Sequence, residues 1–302
     1  MSDSTPLLRP RGATFADWLE GARPRTWPAA LSPVLAGSGV AWFFGGFNLG
    51  MALLCLVVAF ALQVGVNYAN DYSDGIRGTD ADRIGPMRLV GSGAASPKVV
   101  KAAAFACFAV AAAAGLALTI WSGHWWFLAV GAACIVAAWF YTGGKRPYGY
   151  LGLGEVFVFV FFGLVAVAGT AFVQLGVWTV ASLWVACAIG FLACAILVAN
   201  NLRDLAGDEA VGKRTLATRL GDAGTRAFYA GLVIVTAVAV VGAALTTTSW
   251  ALLGLVFVPV LVPALLRVMR GATGRSLIAV LKATGIAELI CAAGLFAGFV
   301  IG

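Results

Sequence analysis

The chain has a single histidine, His124. Its six cysteines (Cys55, Cys107, Cys134, Cys187, Cys194 and Cys291) lie inside apolar runs with no Cys-x-x-Cys pair. That spacing excludes a disulfide framework and a Cys/His zinc site, and the cysteines read as small buried hydrophobes. Charge is the second scarcity. Charged residues make up 11% of 302 residues against 61% hydrophobic, whereas a soluble chain carries about 25% charge. So little polar surface cannot coat a globule of this size, so the surrounding solvent is lipid. Disorder, a coiled coil and nucleic-acid binding fall for the same reason. A cleavable signal pattern is also missing: Met1 to Arg25 is polar and basic, and reads as a retained N-terminus.

What the chain has in abundance is long apolar runs. Spans are expected near 26–45, 47–70, 99–120, 125–142, 153–173, 178–200, 226–247, 249–269 and 279–300. The expected fold is therefore an all-α polytopic membrane protein with nine transmembrane helices. The 38 glycines, many inside these spans, suit close helix packing in lipid. All 20 Lys and Arg residues fall in the N-terminal segment, in the connections after spans two, four, six and eight, or within the four span residues bordering those connections. The positive-inside rule then places the N-terminus and those connections in the cytoplasm and the C-terminus opposite. Trp42, Trp121, Trp125, Trp126, Trp178 and Trp250 near the other span ends form an aromatic belt.

The few acids are not scattered. Asn67-Tyr-Ala-Asn70-Asp71-Tyr-Ser-Asp74 leads on to Asp80 and Asp82, and Asn200-Asn201-Leu-Arg203-Asp204-Leu-Ala-Gly-Asp208 to Glu209. Each segment contains Asn-x-x-x-Asp, each follows a span, and four spans separate them. This repetition divides a single domain, 1–302, into four-helix units at 26–150 and 153–275 plus a ninth helix. If the helices continue through these segments, Asp71 and Asp74 are i,i+3 and Asp204 and Asp208 are i,i+4, so each pair shares a face. If they stop at the membrane surface, the carboxylates meet the negative helix end, which needs a cation. Oxygen-only donors select a hard cation such as Mg2+, which prefers a few carboxylates with water and phosphate. Arg77, Arg83, Arg88, Lys213 and Arg214 belong to the same loops. Both signs of charge in one basin suit a diphosphate.

Asn70-Asp71-x-x-Asp74 with Asp80, and Asp204-x-x-x-Asp208, resemble the two aspartate-rich motifs of the UbiA superfamily of intramembrane prenyltransferases. Arg83-Ile-Gly-Pro-Met-Arg88-Leu-Val-Gly-Ser-Gly, Ala199-Asn-Asn-Leu-Arg-Asp and Gly212-Lys-Arg-Thr-Leu-Ala-Thr-Arg-Leu-Gly221 resemble its branch that prenylates 1,4-dihydroxy-2-naphthoate for menaquinone biosynthesis. The general first motif would put its third aspartate where Gly78 stands; Asp80 lies two residues later. The resemblance implies a nine-helix bundle with a cytoplasmic cap from the loops after spans two and six. It implies Mg2+ as cofactor, held by Asp71, Asp74, Asp80, Asp204 and Asp208, and a polyprenyl diphosphate and the dihydroxynaphthoate as substrates. Neither nucleic acid nor an obligate protein partner is implied. Asn67, Asn70, Asn200 and Asn201 are expected at metal, water or phosphate. Arg77, Lys145, Arg146, Lys213 and Arg214 are expected at the leaving group, and Tyr68, Tyr72 and Tyr141 around the allylic cation. Carbon dioxide and a proton are then lost, with no protein nucleophile.

Three alternatives remain. The acceptor could instead be 4-hydroxybenzoate. An ion-coupled transporter would put its acids near the midplane, but these gather at one face and leave the span centres uncharged. A CDP-alcohol phosphotransferase opens with a similar Asp71-x-x-Asp74-Gly75, but continues with Gly-x-x-Ala-Arg, where this chain has Gly75-Ile-Arg-Gly-Thr79. Glu155 and Glu288 lie within spans and read either as functional acids or as helix-to-helix hydrogen-bonding groups.

Overall fold

The computed structural model describes residues 12–78, 87–145, 147–210 and 212–302, and every regular element among them is helical. A short amphipathic helix α1 (Phe15–Gly21) is closed by a capping box in which Thr14 and Asp17 satisfy each other's backbone. It is followed by α2 (Pro28–Phe43), α3 (Leu49–Arg77), α4 (Pro97–Ser122), α5 (Phe127–Phe140) and α6 (Gly154–Leu175). The chain continues as α7 (Val180–Ala210), α8 (Leu216–Leu245), α9 (Ser249–Met269) and α10 (Ser276–Ile301).

Seven of these, α3, α4 and α6 to α10, are long and apolar enough to cross a bilayer. The remaining two apolar helices, α2 and α5, stand where the first and fourth spans are expected. They have 16 and 14 residues, or roughly 21–24 Å at 1.5 Å per residue, less than the ~30 Å hydrocarbon core. Proline and flanking turns bound them: Pro28 opens α2, and α5 follows the His124-Trp125-Trp126 turn. The tryptophans assigned to the belt are all exposed.

The two helices that carry the aspartates overrun the apolar stretch. With 29 and 31 residues, α3 and α7 are about 44–47 Å long. No residue in Asn67–Arg77 or Asn200–Ala210 breaks the i→i+4 ladder. α3 stops only at Gly78, whose φ of 73° supplies the left-handed C-cap. Both acidic segments therefore lie at the C-terminal ends of helices longer than the ~30 Å hydrocarbon core.

Packing is centred on α7 and α10, whose buried faces are largely Ala, Val and Leu. Lipid gives no hydrophobic drive between helices, so close backbone approach does the stabilising. α6 and α7 touch at Gly163 and Gly190: a Cβ on Gly163 would lie 2.9 Å from Gly190 Cα and 2.8 Å from the Ala186 carbonyl oxygen. Backbone cannot move aside as a side-chain tip can. Gly163→Leu is expected to destabilise the bundle by about 1–3 kcal/mol, read as a lower unfolding midpoint in detergent. Around this contact α6 widens into π-type turns over Phe159–Ala168. The widened stretch contributes Phe161, Phe162 and Val165 to a large internal cavity.

Candidate active site

That cavity has a volume of about 1540 Å3 and a mostly apolar lining. On α3, Asn67, Asn70 and Asp74 line it at i, i+3 and i+7, one helical face. On α7, Asn200, Asn201 and Arg203 line it. Arg88 and Lys213 enter from the connections after α3 and α7, and Tyr141, Tyr148 and Tyr150 from the turn between α5 and α6.

Tyr150 ties the two acidic segments together. Its hydroxyl donates to Asp74 Oδ1 at 2.7 Å, and Lys213 Nζ lies 5.0 Å from its ring centroid. Lys213 in turn meets Asp208 Oδ1 at 3.2 Å, so Asp74 and Asp208 are linked through a phenol and an ammonium. Asp74 is also held by Arg88 at 3.2 Å. Asp204 takes the guanidinium of Arg203 in a bidentate pair at 2.7 and 2.6 Å, and Arg203 also donates to Asn200 Oδ1 at 2.9 Å. Each of these three carboxylates is thus capped by a cation.

Asp71 shares a face of α3 with Asp74, as the i,i+3 spacing predicts, and both carboxylates meet the 88–90 loop, but Asp71 does not line the cavity. Its two oxygens accept the backbone N–H groups of Leu89 and Val90 at 2.8 and 2.9 Å, fixing the loop that delivers Arg88 to Asp74. Tyr68 and Tyr72 lie on the same side of α3 and away from the cavity. Tyr68 donates to the Trp18 carbonyl at 3.0 Å, and Tyr72 stacks on Trp139 with Lys101 over its ring. Neither faces the space expected for an allylic cation. The reason is angular: a step of one residue turns the side chain by about 100°, so the residues flanking Asn67 and Asn70 point elsewhere.

The amides are engaged as well. Asn67 donates to the Ala22 carbonyl at 3.1 Å, Asn70 Oδ1 accepts from Thr142 at 2.7 Å, and Asn201 donates to Glu155 Oε1 at 3.0 Å. Arg77 donates to the Thr142 and Gly144 carbonyls, bracing the α5–α6 turn rather than lining the cavity. Lys145 and Arg214 are exposed outside the cavity. Asp80 and Arg146 lie outside the described residues. Tyr148 donates to the Ala137 carbonyl at 2.8 Å, and burial pushes its phenol well above the usual range, so it keeps its proton.

Tyr150 was not singled out from the sequence. Its signal was its place in Pro147-Tyr-Gly-Tyr, the same turn that drew attention to Tyr141 and Lys145.

Among the described residues no three acids, histidines or cysteines converge closely enough to cage a metal unaided. The donor set nevertheless fits Mg2+. It offers carboxylates and amide oxygens beside a cavity, and Mg2+ is ordinarily held by one or two carboxylates plus water and substrate phosphate.

The UbiA prenyltransferase family model matches residues 30–286. The 1,4-dihydroxy-2-naphthoate octaprenyltransferase of Mycobacterium tuberculosis is 52% identical over 93% of this chain and 95% of its own length. The Escherichia coli protein of the same name is 41% identical over 72% of each chain. Among solved structures, a UbiA homolog from Archaeoglobus fulgidus bound to GPP and Mg2+ superposes with a TM-score of 0.68, 16% identity and coverage of 94% and 99%. The UbiA homolog from Aeropyrum pernix K1 gives 0.68 at 15% identity, covering 90% and 97%. At such identities the structural likeness speaks for the fold. Seven helices able to span a bilayer, in this fold, make the chain an integral membrane protein. With the family match running from α2 into α10, the chain belongs to the UbiA prenyltransferase family.

Proposed function

We propose that this chain transfers a polyprenyl group from an allylic polyprenyl diphosphate to 1,4-dihydroxy-2-naphthoate, with loss of carbon dioxide. The observation that carries the reading is the joining of the two acidic helix ends beside one largely apolar cavity, through Tyr150 and Lys213, which line it. The names of relatives at 41–52% identity support the acceptor.

In this reading Asp74, Asp204 and Asp208 would hold Mg2+, which would supply charge neutralisation to the leaving diphosphate. Arg88, Arg203 and Lys213, now paired to those carboxylates, turn to the phosphate oxygens. Asp71 holds the 88–90 loop so that Arg88 is in place. The allylic C–O bond breaks with its electron pair leaving on pyrophosphate. The ring carbon that bears the carboxylate forms the new C–C bond to the allylic carbon, and its bond to the carboxylate breaks with the electron pair returning to the ring as carbon dioxide leaves. The apolar walls exclude water that would quench the cation, and Tyr141, Tyr148 and Tyr150 offer it aromatic faces.

The same reading takes α2 and α5 as the remaining two of nine spans, completed by their flanking turns. It places the N-terminus and the site on the cytoplasmic side under a cap built from the connections after α3 and α7, with the C-terminus opposite. The one domain is then a duplicated four-helix unit followed by α10. The deciding experiment incubates purified protein with Mg2+, octaprenyl diphosphate and 1,4-dihydroxy-2-naphthoate and analyses the lipid products. A prenylated naphthoquinol is expected. Turnover only with 4-hydroxybenzoate, or no prenylated product at all, would defeat the assignment.

A further inference from the structure

Arg23 aside, the cations that line the large cavity divide into two sets. Arg88, Arg203 and Lys213 each have a carboxylate partner within 3.2 Å. Arg25, Arg275 and Lys282 make no ion pair and no side-chain hydrogen bond among the described residues, and all three are exposed. Arg25 stands in the 3-10 turn Pro24–Thr26 that leads into α2. Arg275 is the residue before α10, and Lys282 lies seven residues further on, the same face of that helix. With Ile278 and Ala279 they line a side recess of about 530 Å3, none of whose lining residues is acidic. Four of its five lining residues, Arg25, Arg275, Ile278 and Lys282, also line the main cavity, so the recess opens into it. Residues some 250 positions apart thus bring three uncompensated positive charges to one mouth. Such a cluster raises the local positive potential and draws anions to the mouth.

We infer that Arg25, Arg275 and Lys282 form a capture site for the carboxylate of the aromatic acceptor. The inference rests on the prenyl-transfer reading above. In that reaction the diphosphate already has its own cations and carboxylates at the other polar set, and the polyprenyl tail is uncharged. The acceptor carboxylate is the remaining anion. Chemistry then says what kind of site it needs. The carboxylate leaves as neutral carbon dioxide, so a tight, buried ion pair would stabilise the starting state over the transition state and slow the reaction. Exposed cations, screened by water, attract without clamping. These three side chains are exposed at the mouth, so they suit recruitment from the membrane surface, with the ring then passing inward along Ile278 and Leu281. They are positioning and steering residues, outside the reacting atoms.

The test is steady-state kinetics in nanodiscs of zwitterionic lipid, with saturating octaprenyl diphosphate and Mg2+, comparing wild type with the triple variant R25Q/R275Q/K282Q. The acceptor KM is expected to rise about tenfold while kcat stays within about twofold. Added salt should raise the wild-type KM and leave that of the variant unchanged. A variant that keeps charge, R25K/R275K/K282R, should restore both the wild-type KM and its salt dependence, which a merely structural role would not. As a second readout, 1-hydroxy-2-naphthoate should inhibit wild type better than 1-naphthol does, and the triple variant should lose that preference. An unchanged acceptor KM in an active variant overturns the inference and leaves the prenyl-transfer reading standing. A wild-type protein that forms no prenylated product defeats both. If the variant's defect appears only when anionic phospholipid is added, the recess serves a lipid headgroup and the inference is likewise overturned.

Discussion

Asp208→Asn is expected to lower kcat/KM by about 10^3-fold or more, roughly 4 kcal/mol of transition-state stabilisation, with the fold intact. Asp208 meets Lys213 at 3.2 Å, and an asparagine oxygen can still accept from that ammonium. The variant therefore loses one negative charge and little packing. In the proposed mechanism that charge is one of the few that hold the divalent ion, so the Mg2+ concentration needed for half-maximal rate should rise as well. Asp74→Asn should behave alike in rate, with a somewhat lower melting point, because Arg88 beside it is buried and loses its counter-charge. Asp71→Asn supplies the contrast. A carboxylate accepts both the Leu89 and Val90 N–H groups, whereas an amide presents one oxygen and one NH2, which meets a donor head-on. That costs about 1–3 kcal/mol and should loosen the 88–90 loop, seen as faster amide exchange there. Wild-type rates and an unchanged Mg2+ requirement in Asp208→Asn would remove the metal-site proposal, whatever Asp71→Asn does.

The difference between Asp71 and Asp74 also marks how far the sequence can be read. Apolar runs locate helices well because lipid tolerates little else, and all nine expected stretches hold a helix. Their ends are less legible. Hydropathy stops near residue 70, yet α3 continues to Arg77, because polar residues do not break a helix while Gly78 in the left-handed region does. Composition cannot tell that α2 and α5 run only 16 and 14 residues. The acidic segments were legible from spacing alone, since repeated Asn-x-x-x-Asp in a chain so poor in charge is conspicuous. Which of their side chains reach the cavity was not. Tyr68, Asp71 and Tyr72 turn towards Trp18, the 89–90 loop and Trp139, and that choice is made by neighbours distant in the chain. Tyr150 shows the same limit: its partner Asp74 is 76 residues away, and no local pattern encodes that meeting.

Gly115→Leu on α4 and Gly131→Leu on α5 are expected to separate long from short prenyl donors. Both glycines line the cavity in its apolar part, alongside Leu116 and Leu128, and a Cβ at either would meet no atom within 4 Å. A leucine there enters open space, so the helix is not strained and the added atoms occupy room that the proposed tail would use. Displacing one five-carbon isoprenoid unit from apolar contact forfeits roughly 0.8 kcal/mol per carbon, about 3–4 kcal/mol in all. Octaprenyl diphosphate should therefore lose about 10^2- to 10^3-fold in kcat/KM. Geranyl diphosphate, whose chain is too short to reach the obstruction, should keep its rate within about threefold. The comparison is internal: both donors present the same diphosphate to Asp74, Asp208 and their cations, so a general defect would lower the two together. Parallel loss, or no loss with the long donor, would show that the tail runs elsewhere. A selective loss would tie the apolar part of this cavity to the isoprenoid and make its depth, rather than its polar residues, the determinant of chain length.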